Sequence, residues 1–147
     1  MKNFIKSYKY KIIFILFASV IIAVVFALFS VDSATNSKNL EFISSYGWEV
    51  DSSPADISHI TVPKEPNGIY LTYAGISAVN NTSLTDYCGE SLTRYSYRVL
   101  NHSRSDGGKI RANIFVHDSQ IVAADISDIS KDGSTKPISD TNDITSN

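Results

Sequence analysis

The stretch from Leu92 to Ser127 reads LTRYSYRVLNHSRSDGGKIRANIFVHDSQIVAADIS, and apolar and polar residues alternate in three of its segments. These segments are 92–101, 109–117 and 120–127. Alternation with period two predicts strands that bury one face, and the short links between them predict an antiparallel meander. The residues on the apolar side are Tyr95, Tyr97, Val99, Ile110, Ala112, Ile114, Val116, Val122, Ala124 and Ile126.

Upstream of the meander, the sequence predicts two helices and one further strand. Apolar residues recur at helical spacing in 40–46, and Gly47 follows as a residue typical of helix ends. Residues 57–62 are rich in strand formers and stop at Pro63. A second helical pattern lies within 67–79. The predicted order is α-β-α-β-β-β, an α+β fold in which two helices cover one face of a four-stranded antiparallel sheet.

An apolar run near the start of the chain predicts one transmembrane helix. Residues 12–29 read IIFILFASVIIAVVFALF, and 18 residues rising about 1.5 Å each span about 27 Å, close to the thickness of a bilayer core. The alternative is a cleaved signal peptide, whose apolar core is usually about 7 to 15 residues and ends in an Ala-x-Ala site. The run is longer than that, and SVDSATN after it contains no such site.

The charges around this run predict its orientation and the organisation of the chain. Lys2, Lys6, Lys9 and Lys11 precede the run, so residues 1–11 are expected to stay in the cytoplasm and the remainder to lie outside. The predicted domains are a spacer over 30–37, an extracytoplasmic domain over 38–130, and a polar disordered tail over 131–147. Without those lysines, the 13 basic residues fall to 9 against 15 acidic ones, a net charge of −6. Nucleic-acid binding is therefore not expected.

The single cysteine and the three histidines predict neither a metal site nor a cofactor. Cys88 has no partner for an intramolecular disulfide, and we interpret it as a small, partly buried hydrophobe. His59, His102 and His117 lack the close spacing of zinc ligands. A nucleophilic Cys88 would need His59 or His117 beside it, and the residues around it match no known signature. No catalytic residue is predicted.

Two further motifs have simple structural interpretations. Gly107-Gly108-Lys109 is a hairpin turn rather than a phosphate loop, because His102 stands where that motif needs glycine and Ile110 where it needs Ser or Thr. Asp125 and Asp128 could pair as an acid and a base, but a strand and its exit predict solvated carboxylates instead.

The polar side of the meander is the candidate binding surface. We call it the arginine face; it carries Arg94, Arg98, Arg111, Asn113 and Phe115. If both helices cover the apolar face, the arginine face is open to solvent. Arginine and aromatic residues are favoured at binding surfaces, whereas an exposed sheet face needs polar residues for solubility alone. Both interpretations stay open at this point.

Several motifs of the chain resemble the domain-of-unknown-function family numbered 4830. The resemblance spans about Asn39 to Ile138 and is carried by SYGWEV (45–50), ITVP (60–63), Tyr70-x-x-Tyr73, RYSYRVLN (94–101), RANIFV (111–116) and Asp125-Ile126. The chain departs from the family at Ala74, where Asn is usual, at Ala123-Ala124, where Gly-Gly is favoured, and after Gly133. Family members are membrane-anchored or exported proteins of Gram-positive bacteria without an established activity. The resemblance therefore implies a bacterial, membrane-anchored architecture and no catalytic residue.

These observations favour a non-enzymatic binding or sensing module at the cell envelope, held by a single-pass anchor. Its partner would be an unknown envelope protein or ligand. The alternative is a small cell-envelope hydrolase with an unrecognised active site, and a third hypothesis is an accessory subunit of another membrane protein. An enzyme needs titratable groups that converge in a cleft, whereas a binding module needs only a complementary surface.

Overall fold

A computed structural model describes residues 14, 17–21, 33–104 and 107–145. The chain divides into two compact units, Met1–Thr35 and Asn36–Asn147. In the first unit, residues 14 and 17–21 are helical, and the other residues of the predicted segments 1–11 and 12–29 lie outside the described ones. No helix within the described ranges is both long and apolar enough to cross a membrane.

The second unit has an α+β fold, as predicted, around one antiparallel sheet. Helix α1 covers 33–45, and its part from Asn36 onward belongs to this unit. Residues 33–37 of the predicted spacer are therefore helical. The elements that follow are strand β1 (Asp56–Thr61), helix α2 (Gly68–Ile76), a 3₁₀ helix (Leu84–Tyr87), and strands β2 (Ser91–Arg98), β3 (Ile110–His117), β4 (Gln120–Asp128) and β5 (Thr135–Pro137). The sheet order is β1-β2-β3-β4-β5, and each neighbouring pair is antiparallel.

Local sequence signals explain where the elements begin and end. Helix α1 is followed by Gly47, which has a φ of +85°, the conformation that favours glycine after a helix. The Asn67 side chain caps α2 by accepting a hydrogen bond of 2.9 Å from the Tyr70 amide. Asp118 and Ser119 have φ values of 45° and 64°, as a two-residue hairpin turn between β3 and β4 requires. The predicted meander is confirmed.

The prediction of four strands is wrong, because the segment predicted as a disordered tail supplies β5. Residues 135–137 pair with Asp125–Ser127 of β4. Ile138 is 1% exposed, and its carbonyl accepts a 2.7 Å hydrogen bond from the Trp48 indole. Composition averages over a segment, so it misses a single buried isoleucine and the backbone hydrogen bonds that hold its neighbours. The tail prediction is therefore wrong for residues 131–145.

The two long helices lie on opposite faces of the sheet, which corrects the prediction that both cover one face. Ile43 of α1 belongs to the core on the apolar face, together with Ile114 and Ala124. Ala74 of α2 belongs to a second core, with Phe115 as a member. Since this second core lies on the arginine face, one end of that face is apolar and α2 covers it. Phe115 is consequently 2% exposed and unavailable to a partner.

Candidate functional site

The strand register arranges the side chains of the arginine face in three rows that cross the sheet. Paired residues of antiparallel strands lie side by side on the same face. The helix row, beneath α2, is Ser58, Arg94, Phe115 and Ala123; the middle row is Asp56, Ser96, Asn113 and Asp125; the open row is Arg98, Arg111, Ser127 and Thr135.

A pocket of about 480 Å³ lies over these rows, and we call it the arginine pocket. Tyr73 of α2 lines it together with arginines from two of the rows, Arg94 and Arg111. Its remaining lining residues are Ala55, Asp56, Ser96, Asn113, Ser127, Ile129 and Thr135. The volume lies within the range of small-molecule sites.

A buried carboxylate organises the floor of the arginine pocket. Asp125 is 0% exposed, and it accepts hydrogen bonds from Tyr73 Oη (2.7 Å), Asn113 Nδ2 (2.8 Å) and Ser127 Oγ (2.6 Å). Burial raises the pKa of Asp125, while these hydrogen bonds and the Arg94 charge act against that rise. The sequence-based expectation of a solvated Asp125 is wrong, because α2 places Tyr73 over it.

Tyr73 is held in the same network. Burial raises the pKa of its phenol, and the neighbouring Asp125 carboxylate raises it further. The ring also packs edge-on against Phe115, with centroids 6.3 Å apart. Tyr73 therefore stays protonated at neutral pH and acts as a fixed hydrogen-bond donor.

Hydrogen bonds connect the rest of the floor into one chain. Ser96 Oγ donates to Asn113 Oδ1 over 2.8 Å, and Asn113 Nδ2 also lies 3.2 Å from Ser127 Oγ. Ser127 Oγ lies 3.0 Å from Thr135 Oγ1. Because each polar group is oriented by its neighbours, the floor is organised before any ligand arrives.

The three arginines of the arginine face differ in how fully they are engaged. Arg98 forms a two-point pair with Asp51, with its Nε at 2.8 Å and its Nη2 at 3.2 Å from the two carboxylate oxygens. Arg94 makes one contact with a carboxylate, from Nη2 to Asp56 at 3.3 Å. Its Nε is buried and has no hydrogen-bond partner within the described part of the chain.

To the described residues, Arg111 is bound through backbone carbonyls alone. Its Nη1 donates to Gly108 and, over 3.3 Å, to Ile110. Among residues 33–104 and 107–145, no carboxylate lies within ion-pair distance of Arg111. Of the residues that the sequence placed on the candidate surface, Arg94, Arg111 and Asn113 line the pocket. Arg98 is paired with Asp51, and Phe115 is buried beneath α2.

The cysteine and histidines predicted to be uninvolved lie apart from the lining of the arginine pocket. Cys88 is exposed, so its predicted partial burial is wrong: it follows the 3₁₀ helix, where its thiol lies 3.2 Å from the Thr85 carbonyl. His59 and His117 lie on β1 and β3, whereas His102 is buried and stacks on Trp48. Within the described residues, no group of three or more His, Cys, Asp or Glu side chains could hold a metal ion.

Sequence reasoning missed Tyr73, Ser127 and Thr135 as components of the site. Tyr73 gives no local signal, because its spacing fits an ordinary helix that covers a core. Thr135 lies in the segment predicted to be disordered. A signal was available for Asp125, since a single carboxylate in the middle of an apolar strand is rarely buried without partners.

Comparison of the chain with family models, with curated proteins and with solved structures found no match. Any function must therefore be argued from the geometry of the arginine pocket and from the sequence.

Proposed function

We propose that this chain is a membrane-anchored binding module of the bacterial cell envelope, and that the arginine pocket is its binding site. The observation that carries the proposal is a preformed pocket in which two incompletely engaged guanidinium groups, Arg94 and Arg111, stand over a hydrogen-bonded floor. A concave site with few, fixed polar groups is the general form of a ligand-binding site.

The chemistry of the described lining supports recognition. It comprises two guanidinium groups, the Asp56 carboxylate, three hydroxyls, an amide, a tyrosine and two apolar side chains. These groups bind ligands through hydrogen bonds and charge, and the network beneath them keeps them in position.

One observation favours the alternative of a small envelope hydrolase. A carboxyl group with a raised pKa beside a cleft is a common property of catalytic acids and bases, and Asp125 has this property. However, Asp125 is 0% exposed and bonded to three donors. A general acid or base must reach its substrate directly or through one water molecule, so the geometry supports binding better than hydrolysis.

The sequence supports the proposed anchor. The run over 12–29 has the length of a membrane span and follows a lysine-rich start. Among its described residues, Phe14, Phe17 and Val20 are helical and 73%, 66% and 60% exposed, as side chains in contact with lipid would be. The resemblance to family 4830 supports the same single-pass topology, with the N-terminus in the cytoplasm.

The experiment that tests this proposal is site-specific photo-cross-linking of the full-length protein in its native membrane. A photoreactive residue at Ile129, which lines the arginine pocket and is 60% exposed, should capture a reproducible adduct that mass spectrometry can identify. The matched control is the same residue at Leu100, which is 45% exposed and lines a different pocket beside Trp48. Equal adduct patterns from both positions would contradict the proposal.

A further inference from the structure

We infer that the arginine pocket recognises a small hydroxylated oxyanion, a carboxylate or a phosphate, which is held between Arg94 and Arg111 while its hydroxyl groups lie on the floor. The inference rests on the proposed function in that both use the same pocket. It goes further by naming the chemical class of the ligand.

The pocket contains hydrogen-bond donors that residues 33–104 and 107–145 do not use. A guanidinium group has five N–H donors and no acceptor. Arg94 uses Nη2 on Asp56, and its side chain is still 39% exposed; its Nε is buried and out of reach of a ligand. The hydrogen bonds of Arg111 to described residues come from Nη1 alone. A ligand in the pocket would therefore be held by the acceptor atoms that it offers to these two side chains.

The carboxylates near the pocket do not satisfy this demand. Asp125 lies beneath the floor and is occupied by three donors, and Asp56 makes a single contact of 3.3 Å with Arg94. Arg98 shows what happens where an internal carboxylate is well placed, because Asp51 binds it through both oxygens. Carboxylates and phosphates match the planar fork of arginine in the same way, so an oxyanion is the ligand group that suits Arg94 and Arg111.

The floor of the pocket requires hydrogen-bond donors on the ligand, whereas the arginines require acceptors. The hydroxyl hydrogen of Ser96 is directed to Asn113 and that of Ser127 to Asp125. The Asn113 amide in turn donates to Asp125 and Ser127. Ser127 Oγ already accepts from Asn113 and from Thr135 Oγ1, 3.0 Å away, so it has no lone pair left for a ligand. The hydroxyl hydrogens of Ser96 and Thr135 are also used inside the protein, and these two oxygens can only accept from a ligand. The part of the ligand over the floor must therefore donate, as the hydroxyl groups of a sugar acid or a sugar phosphate do.

The size of the pocket suits one such unit. About 480 Å³ is at the lower end of the range for small-molecule sites. Ile129 and Tyr73 provide apolar surface at its edge, against which the carbon skeleton of a sugar ring can pack.

The test is a binding titration of the full-length protein in lipid nanodiscs, followed by ligand-observed NMR. The probes are glucuronate and glucose 6-phosphate, with acetate and inorganic phosphate as oxyanions without hydroxyl groups, and glucose as the neutral sugar. We expect at least one of the two hydroxylated anions to bind about tenfold or more tightly than the three simpler probes, because only the hydroxylated anions satisfy both the arginines and the floor. Preference for glucuronate would assign a carboxylate ligand, and preference for glucose 6-phosphate a phosphate ligand.

Four arginine variants distinguish binding in the pocket from a general effect of positive charge. Arg111→Gln and Arg94→Gln should each weaken binding of the preferred anion about tenfold or more. Arg98→Gln removes the same charge from the same face but from an arginine already paired with Asp51, so it should change binding less than about twofold. Arg111→Lys keeps the positive charge but removes the planar guanidinium that can bind an oxyanion through two hydrogen bonds, so it should weaken anion binding by an intermediate factor. Thermal unfolding of each variant checks that it is folded.

The inference is overturned if glucose binds as tightly as both anions, or if Arg98→Gln weakens binding as much as Arg111→Gln. Absence of binding by every probe would overturn it too. The proposed function is tested independently by the adduct at Ile129. A specific adduct without anion binding rejects the ligand class alone, whereas indistinguishable adducts at Ile129 and Leu100 reject the proposed function.

Discussion

The two faces of the sheet are built from alternate residues of the same strands, yet they are stabilised by different forces. Ile114 and Asn113 are neighbours on β3; Ile114 points into the core under α1 and Asn113 into the floor of the arginine pocket. Both are buried, at 0% and 8% exposure. The apolar face is stabilised by non-directional burial, as is the end of the arginine face beneath α2, whereas the floor of the arginine pocket depends on hydrogen bonds with fixed partners. Burial alone therefore does not distinguish a core from a binding site; the incomplete hydrogen bonding of Arg94 and Arg111 to the described residues does.

The largest effect is expected from truncation on the apolar face. Ile114→Ala should lower the free energy of unfolding by about 2–5 kcal/mol, because it removes buried apolar surface and leaves a cavity. Urea denaturation followed by circular dichroism measures this change. Anion binding per folded molecule should be unchanged. A loss below about 1 kcal/mol would indicate that α1 does not pack on the sheet as described.

A smaller loss of stability is expected on the arginine face. Asp125→Ala leaves the three donors from Tyr73, Asn113 and Ser127 without their acceptor, which should cost about 1–3 kcal/mol. A double-mutant cycle with Tyr73→Phe should show coupling, because the two residues share one hydrogen bond. The matched cycle of Tyr73→Phe with Ile114→Ala, on opposite faces, should be additive. Additivity in the cycle of Asp125→Ala with Tyr73→Phe would mean that the Tyr73–Asp125 hydrogen bond contributes nothing to the free energy of unfolding.

The arginine face should also respond to pH where the apolar face does not. Burial raises the pKa of Asp125 above its ordinary value of 3.8, so between 3.8 and that raised pKa the folded state binds more protons than the unfolded state. Stability relative to Asp125→Asn should therefore fall as the pH rises through this window, and should be fully retained below it. Urea denaturation of both proteins from pH 3 upward tests this sign. A relative stability that increases with pH would show that the hydrogen bonds outweigh burial.

The smallest effect is expected at the turn between β3 and β4, which belongs to neither face. Ser119 has a φ of 64°, and glycine adopts this conformation without a steric cost. Ser119→Gly should raise the free energy of unfolding by about 0.5–1 kcal/mol, as measured by thermal denaturation. The control is Ser91→Gly at the start of β2, where glycine should instead destabilise by about 0.5–1 kcal/mol. Equal effects of the two substitutions would contradict the assignment of the turn.

Much of the fold could be predicted from short-range patterns. Alternation over 92–127 predicted three strands and their apolar side, except at Val122, which belongs to the second core beside a register shift between Phe115 and Val116. Gly47 and Asp118-Ser119 marked a helix end and a turn because their backbone conformations are local properties. The same alternation placed Arg94, Arg98 and Arg111 on one face. It could not show which of these arginines is fully paired with a carboxylate. The pairing of Arg98 depends on Asp51, which is 47 residues away in the chain.

The sequence by itself determined the order of the long helices and of the strands up to β4, most of the division of β2, β3 and β4 into an apolar and a polar side, and the acidic character of the region after the N-terminal run. The tertiary structure alone decided that α1 and α2 cover opposite faces, that residues 135–137 complete the sheet, and that Asp125 is buried. Each of these outcomes depends on contacts between distant parts of the chain, such as the bond between Tyr73 and Asp125 across 52 residues. A local sequence pattern determines the face of the sheet to which a side chain points, but only the folded structure determines which residues it contacts.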